Sequence, residues 1–491
     1  MTRQLDLLLV NAPSKVGVYG VLSQFAAVEP PVWAGLIARY CLNRGYSVEI
    51  LDAEAEGLTT SQTAARINDA KPRLAAVCVY GHQPSASTQC LPGAEETAKL
   101  VDGRIPTLCL GTHPSALPER TLREGPWTYV CQGEGPRTIG TILSGREWDP
   151  GIVPGLWLKN GKHPWRAGSN IEKLDQEIPN QAWELLDMKR YRPHHWHRWM
   201  GDPNGGYATI QTSLNCVFAC NFCCISAPFG DRKMRFWSPA NVAAQIANLV
   251  NRYSITNIKI ADEMFCLNQK HVWQICTHLI DMKLGDRLNI WCYGRIDTLK
   301  DNQLLERMRQ AGFKDIGIGI ESASKFVRDG VGKGKFGNEQ IIEAINRVRA
   351  AGIYPGCNYI FGLPDDDLKS MQETLDLACE INGEYSNFYC AQAYPGSPLH
   401  KIAQEKHWAL PEDPGGPGWI GYSQHSYESL PLPTETLSSA EVLKFRDDAW
   451  MMFHQRPSYL DRLKRNFGQQ AVDDMTEILK HGKPKRKLLG D

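Results

Sequence analysis

The sequence predicts an α/β chain made of two α/β halves, a connector between them and a small cap at the end. Three observations carry that class. Across residues 1–145, short apolar runs alternate with amphipathic ones. The alternation resumes at residue 207 and lasts to residue 400. Between the two, residues 146–206 are rich in Pro, Gly and Trp and break the pattern. Strand-like runs separated by helical ones mark βαβ units around a parallel sheet.

In the first half the pattern predicts strands at Leu5–Asn11, Ser47–Leu51, Leu74–Tyr80, Thr107–Leu110 and Thr128–Cys131. Helices are expected between them, near Pro31–Arg44, Ser61–Asp69, Gly93–Val101, Ala116–Arg123 and Pro136–Leu143. Such a series gives a doubly wound, Rossmann-like domain, whose ligands bind beyond the carboxyl ends of the strands. The loops there are Ala12–Ser14, Gly81–Thr88, Gly111–Pro114 and Gly133–Gly135. No GxGxxG follows the first strand, which argues against an ordinary dinucleotide site.

The connector holds a dense histidine cluster, His194, His195 and His197. Adjacent histidines do not easily converge on one metal, and a surface or interdomain segment is the expectation. In the second half, strands are predicted at 207–214, 257–261, 289–295, 315–320, 357–363 and 387–394, with helices near 239–252, 269–284, 302–311, 338–351 and 368–382. That is an open (β/α)6 partial barrel. Residues 401–491 form the cap, where Ser438–His454 reads as an amphipathic structural helix. Trp408, Trp419, Tyr422, His425 and Tyr427 are read either as lining a substrate cavity or as packing. The basic stretch KHGKPKRK near the end reads as a solvated tail.

The chain has 491 residues, with 54 Lys plus Arg against 54 Asp plus Glu. A chain without net charge lacks the basic footprint of a nucleic-acid binder. No apolar run reaches the ~18 residues of a membrane span, and MTRQLDLLLVNAP reads as a first strand rather than a leader. Most of the 15 cysteines sit singly in apolar segments, the pattern of reduced, buried thiols in a cytoplasmic protein.

Three cysteines depart from that pattern. Cys216, Cys220 and Cys223 form a CxxxCxxC loop after a strand-like run. Three thiolates this close suit three irons of a 4Fe–4S cluster, leaving the fourth open to a small molecule; structural zinc asks for four ligands. Cys224 adjoins them as a bystander. Polar residues recur at the ends of the later strands: Asp262-Glu263, Arg295, Glu321-Ser322, Gly362-Leu363-Pro364 and Tyr394 to Pro398. Active groups of barrels collect at that end.

The cysteine loop, with Phe222 just before its last cysteine, resembles that of the radical S-adenosylmethionine (radical SAM) superfamily. The first half resembles the cobalamin-binding domain ahead of many radical SAM domains, through VNAP, EPPVWAGLIARYCLNRGY, LGTHP and GEG. IPNQAWELLDMKRY resembles the linker between the two. The resemblance covers residues 1–400 and points to a cobalamin-dependent radical SAM enzyme of the class B methyltransferase kind. It implies domains at 1–145 (cobalamin), 146–206 (linker) and 207–400 (radical SAM). It implies a 4Fe–4S cluster on Cys216, Cys220 and Cys223, with S-adenosylmethionine on the open iron. Asp262 and Glu263 would receive the amino group of S-adenosylmethionine, Glu321 and Ser322 would lie near its ribose or carboxylate, and Phe222 beside its adenine. Pro364 belongs to the turn where relatives carry GxPGE, and here Asp365 and Asp366 follow it. Cobalamin would lie against Ala12, Pro13, Gly81, Gly111, Thr112, His113, Gly133, Glu134 and Gly135. The first loop lacks DxHxxG, so no histidine of this domain is expected on cobalt; His82 and His113 read as hydrogen-bonded loop residues. Tyr394 and Arg295 are the candidates for substrate contact or proton handling. The implied reaction is C-methylation of an unactivated carbon of a small metabolite. Methylcobalamin would be the donor, and a 5′-deoxyadenosyl radical would abstract hydrogen. The alternatives are ring contraction or oxidative cyclisation on the same cofactors, or a cobalamin-binding sensor with a structural cluster. The implied partners are a small-molecule substrate and a flavodoxin or ferredoxin as electron donor, with the chain a cytoplasmic monomer.

Overall fold

A computed structural model describes residues 4–81, 86–145, 153–159, 170–202 and 205–491; His82 lies outside them. The first sheet holds β1 (Leu7–Asn11), β2 (Val48–Asp52), β3 (Leu74–Val79), β4 (Thr107–Gly111), β5 (Tyr129–Cys131) and β6 (Leu156–Leu158). Its order is β2-β1-β3-β4-β5-β6, and strands β1 to β5 are parallel. The central strands β1, β3 and β4 are buried on both faces, which is why they read as mostly apolar runs, whereas the edge strand β2 carries an exposed Glu49. Leu7 and Leu9 pack on one side with Ile37 and Ile139, and Leu8 and Val10 on the other with Ile67 and Leu91. The strand order reverses between β1 and β3, the place where sheets of this topology bind ligands. The five predicted strands form within a few residues of their expected ends. β6 was not foreseen: it comes from the connector and pairs antiparallel with β5.

The second sheet holds β7 (Gly206–Ile210), β10 (Ile255–Ile260), β11 (Asn289–Arg295), β12 (Phe313–Glu321), β13 (Tyr354–Phe361) and β14 (Tyr385–Cys390), and β8 (Ser213–Leu214) pairs with β9 (Arg235–Phe236) as a separate ribbon. The six large strands lie in sequence order and are all parallel, an open half-barrel. The predicted strand 207–214 breaks after Ile210. The reason is local: the Thr212 amide and the Thr212 and Ser213 hydroxyls all donate to the Asp262 carboxylate, at 2.6, 2.5 and 2.7 Å. The chain then leaves the sheet to form the clip from which the cysteine loop springs.

The connector ties the halves together. Gln181 donates to the Thr209 carbonyl at 3.0 Å, Trp237 donates to the Ile178 carbonyl at 2.8 Å, and one hydrophobic core runs from Leu7 through Trp183 to Phe388. The three histidines of the cluster meet different partners. His197 is buried against the Asn289 carbonyl at 3.1 Å, His195 faces Asp474 at 3.5 Å, and His194 stacks on Trp196.

The cap contains helices Ser439–Gln455, Pro457–Phe467 and Gln469–Leu479. The lysines of its basic tail are exposed, as the sequence reading had them, but Arg486 departs from that reading. Arg486 is 0% exposed, bonded to Asp447 at 2.8 and 3.0 Å and to the Ser426 carbonyl at 2.9 Å. Lys483 reaches Asp448 at 2.7 Å and Lys487 reaches Glu428 at 3.0 Å. The tail's charges meet the cap's own carboxylates. Among the described residues no helix is long and apolar enough to cross a membrane.

Candidate active site between the two sheets

The cysteine loop is held at both ends. Asn215 adopts a positive φ of 77°, a conformation Asn tolerates better than most side chains. Its amide oxygen accepts the Cys216 N–H at 2.8 Å, and its nitrogen donates to the Asp231 carbonyl at 2.8 Å. Further on, Asn221 binds the carbonyls of Val331 and Gly330 at 3.0 and 3.1 Å. Cys216 and Cys220 are buried and Cys223 half-buried. Burial pushes the Cys216 and Cys223 thiols up, and that of Cys224 up to about 12. Coordination to a metal would take the proton from such a thiol outright. Among the described residues no three His, Cys, Asp or Glu side chains converge on a single-ion position. A cluster asks for something else, one thiolate per iron, and a loop carrying three thiols fits it.

Around this loop the strand ends fall into distinct roles. Asp262 is wholly engaged by Thr212 and Ser213 and anchors the clip. Glu263 is different: its Oε2 is buried without a hydrogen-bond partner, and burial pushes its carboxyl up to about 8. Glu321, turned to a φ of 69° at an irregularity in the β12–β13 pairing, makes a 2.5 Å ion pair with Lys333. Ser322 is spent inside its turn, on Thr374 at 3.2 Å and the Ser324 amide at 3.1 Å. Phe222 packs with Val327, Val331, Leu363 and Ala391. After Pro364, which is half-buried, Asp366 accepts the Leu363 amide at 3.0 Å and the Ser370 hydroxyl at 2.6 Å, closing the turn. Arg295 is buried against Cys220, with Nη1 at 3.7 Å from Sγ. Tyr394 donates to the Tyr422 carbonyl at 3.3 Å and stacks on that ring.

In the first domain, Ala12 is buried and Pro13 half-buried at the end of β1. A side chain on Gly111, at a φ of 147°, would collide with the Val79 carbonyl. His113 is buried, 3.2 Å from the Thr88 hydroxyl and edge-on to Trp419, and burial lowers its pKa to about 3. The Gly133 amide donates to Ser115 at 3.1 Å, and Gly135 caps helix Pro136–Leu143. Glu134 accepts the Ile171 amide at 2.9 Å and pairs with Arg235 of the second domain. Its carboxylate thus joins the two domains and is already engaged on both oxygens.

The carboxyl ends of the two sheets meet at one cavity. Asn11, Tyr80, Gly81 and Thr112 line it from the first domain, and Thr209, Gln211, Ala261 and Glu263 from the second. Four of its buried side-chain atoms lack a hydrogen-bond partner: Tyr80 Oη, Thr112 Oγ1, Gln211 Oε1 and Glu263 Oε2. Trp33 stacks on Tyr80 at 5.2 Å, and both residues line the cavity. Aromatic rings beside unsatisfied polar atoms at a topological switch point fit a large cofactor with apolar faces and polar edges. Of the predicted cofactor residues, Gly81, Thr112 and Glu263 line this cavity, while the other predicted positions stand behind it or at the cysteine loop. Trp408, Trp419, Tyr422, His425 and Tyr427 do not line it. Trp419 and His425 pack instead on His113 and Tyr19. The sequence reading held Glu29 and Trp33 only within the segment EPPVWAGLIARYCLNRGY, and it missed Lys259, which pairs with Glu29 at 3.0 Å across the domains, and also Gln211 and Lys333. Lys259 had a signal, a lone charge within an apolar strand.

Comparison with known proteins agrees with this geometry. The model of the radical SAM superfamily matches residues 210–378, and that of the B12 binding domain matches residues 19–143. An uncharacterized methyltransferase of Pyrococcus horikoshii is 26% identical over 464 residues, 93% of this chain and 94% of its own. The anaerobic magnesium-protoporphyrin IX monomethyl ester cyclase of Cereibacter sphaeroides is 25% identical over 402 residues, 78% of this chain and 62% of its own. This chain therefore spans about three-fifths of that cyclase. The structure of the radical S-adenosylmethionine methyltransferase TsrM of Kitasatospora setae shares the fold at a TM-score of 0.69 and 15% identity, covering 97% of this chain and 99% of that one. The radical SAM domain takes a 4Fe–4S cluster and S-adenosylmethionine, and the B12 binding domain takes cobalamin. The chain thus joins a B12 binding domain to a radical SAM domain, with the strand ends of both facing one cavity, in the fold shared with the cobalamin-dependent radical SAM structures.

Proposed function

We propose that the chain is a C-methyltransferase acting on an unactivated carbon of a small metabolite, such as a sugar, a nucleotide-linked intermediate or an antibiotic precursor. The observation that carries this reading is the single cavity shared by the carboxyl ends of both sheets. When bound, the cluster with S-adenosylmethionine supplies a 5′-deoxyadenosyl radical, and cobalamin supplies the methyl group. The residues supply position. Cys216, Cys220 and Cys223 hold the cluster at the barrel mouth. Glu263, with a buried oxygen and no partner, receives an ammonium group there. Trp33 and Tyr80 would hold the corrin by apolar contact, and Thr112 would offer it a hydroxyl. The cysteine loop, buried except for Val217, Ala219 and their half-buried neighbours, limits solvent at the radical. Zero net charge supports a small substrate over a nucleic acid. The electron donor is a flavodoxin or ferredoxin in a reducing cytoplasm.

Reconstituted protein given S-adenosylmethionine, cobalamin and a reductant is expected to release 5′-deoxyadenosine and S-adenosylhomocysteine. Absence of 5′-deoxyadenosine from protein shown to hold cluster and S-adenosylmethionine would sink the radical reading. The likeness to the cyclase favours one other reading, oxidative cyclisation on the same cofactors. It gives 5′-deoxyadenosine without S-adenosylhomocysteine.

A further inference from the structure

We propose that Arg295 is a positioning residue for the iron–sulfur cluster, setting its reduction potential through Cys220 rather than touching substrate. The inference rests on the radical SAM reading of the cysteine loop. Arg295 ends β11 with its side chain 3% exposed. Its guanidinium is fixed from several sides. Nη1 stands 3.7 Å from Cys220 Sγ, and Nε and Nη2 bind the Asp297 carboxylate at 3.1 and 3.2 Å. Nη2 also donates to the Lys333 carbonyl, and the group lies 3.8 Å over the Phe218 ring. Arg295 does not line the cavity between the sheets, so its place suits the cluster and not the substrate. The other nearby cation, Lys333, is spent on Glu321.

Hydrogen bonds to cysteine sulfur, net charge and solvent exposure set the potential of such clusters. Reduction moves one electron from a low-potential one-electron donor to the cluster. No bond forms or breaks and no proton moves, so the cluster simply gains one negative charge. A buried cation at the ligand thiolate stabilises that reduced state, and the effect is large because the surroundings are poorly solvated. The planar fork of arginine keeps the charge in register with the sulfur, which a lysine does less well. Asp297, at 36% exposure, is the countercharge that tempers it.

The test is a redox titration of the reconstituted cluster, followed by electron paramagnetic resonance. Arg295→Gln is expected to lower the midpoint potential by about tenfold in the reduction equilibrium, about 59 mV for one electron. Arg295→Lys should retain most of the wild-type value. Asp297→Asn should move it upward, because an anion is lost. A loosened loop would move the Gln and Asn variants in the same direction, so opposite shifts identify the charge effect. Clusters that form normally with unmoved potentials, or with both shifted downward, overturn the proposal. Should Arg295→Gln not fold, Asp297→Asn decides alone: a rise supports the proposal and no rise overturns it. Wild-type protein that takes up no cluster overturns the radical reading itself, and this proposal with it.

Discussion

Glu263 and Asp262 are neighbours with opposite fates, and the difference lies in what each carboxylate meets. Asp262 receives three donors, while Glu263 keeps a buried oxygen without one. Burial pushes Asp262 up to about 6, with its donors pulling back, and Glu263 from 4.5 up to about 8. Folded Glu263 therefore holds its proton more tightly than the unfolded chain does. Its contribution to stability is complete below pH 4.5 and is lost as the pH rises through about 8. In protein without cofactors, Glu263→Gln should flatten the decline of the unfolding midpoint between these pH values and raise the midpoint at the upper one. A variant that tracks wild type across the range would contradict this. With cofactors present, the same change should slow 5′-deoxyadenosine formation roughly ten- to hundredfold, the loss of one charge-assisted hydrogen bond of about 1.5–3 kcal/mol. The acidic pair was legible from its place after an apolar strand. Which member stays free was not, because that depends on Thr212 and Ser213, about 50 residues earlier, folding back onto Asp262. Lys333 was illegible for the same reason, since its partner Glu321 belongs to a different element.

Among elements, the clip of β8 and β9 does the most to shape the site, because the cysteine loop emerges from it. Asp262→Ala would leave the Thr212 amide and two hydroxyls buried without an acceptor, at about 1–3 kcal/mol for each such group. The expected result is a lower unfolding midpoint and less iron bound per chain after reconstitution; iron content equal to wild type would show that the clip does not hold the loop. The regular strands and helices were readable because their apolar periods are strong. The irregular pieces were not. The strand 207–214 breaks through side-chain competition for backbone donors, and β6 forms because β5 has a free edge to cover. The tail was misread at one residue, Arg486, which is buried. A run of lysines and arginines looks solvated until the acceptors are known, and here Asp447 and Asp448 lie on a helix some 35 residues earlier. Arg486→Ala should lower thermal stability and expose the tail to proteases, whereas Lys485→Ala, on an exposed side chain, should leave both unchanged.

At the scale of the molecule, buried ion pairs join the two α/β domains. Glu134 meets Arg235, and Glu29 meets Lys259 with side chains 6% and 1% exposed. Removing one member of such a pair leaves a buried charge without compensation and costs about 3–5 kcal/mol, whereas replacing both by apolar groups is often neutral. Glu29→Ala should therefore destabilise the protein markedly, and adding Lys259→Met should restore most of the loss in thermal unfolding. Failure of the second change to rescue the first would show that the pair does not act as a unit. The same joining of distant parts has a consequence for how the chain is made. The Ser423 hydroxyl donates to the Val18 carbonyl across 405 residues, and Lys15, Val18 and Tyr19 line the cavity. Lys15 is held early, by the Glu54 carboxylate at 2.8 Å, but Val18 lacks its cap partner until the ribosome has passed residue 423. At 5–20 residues per second, that is roughly 20–80 s after Val18 is synthesised. An early-made nucleotide-binding half would have its pocket ready on the nascent chain. Here one contact behind the pocket wall, at Val18, forms only after residue 423 has been made. Ribosome-stalled chains ending before residue 420 should leave the segment 15–24 open to proteases, and full-length chains should protect it.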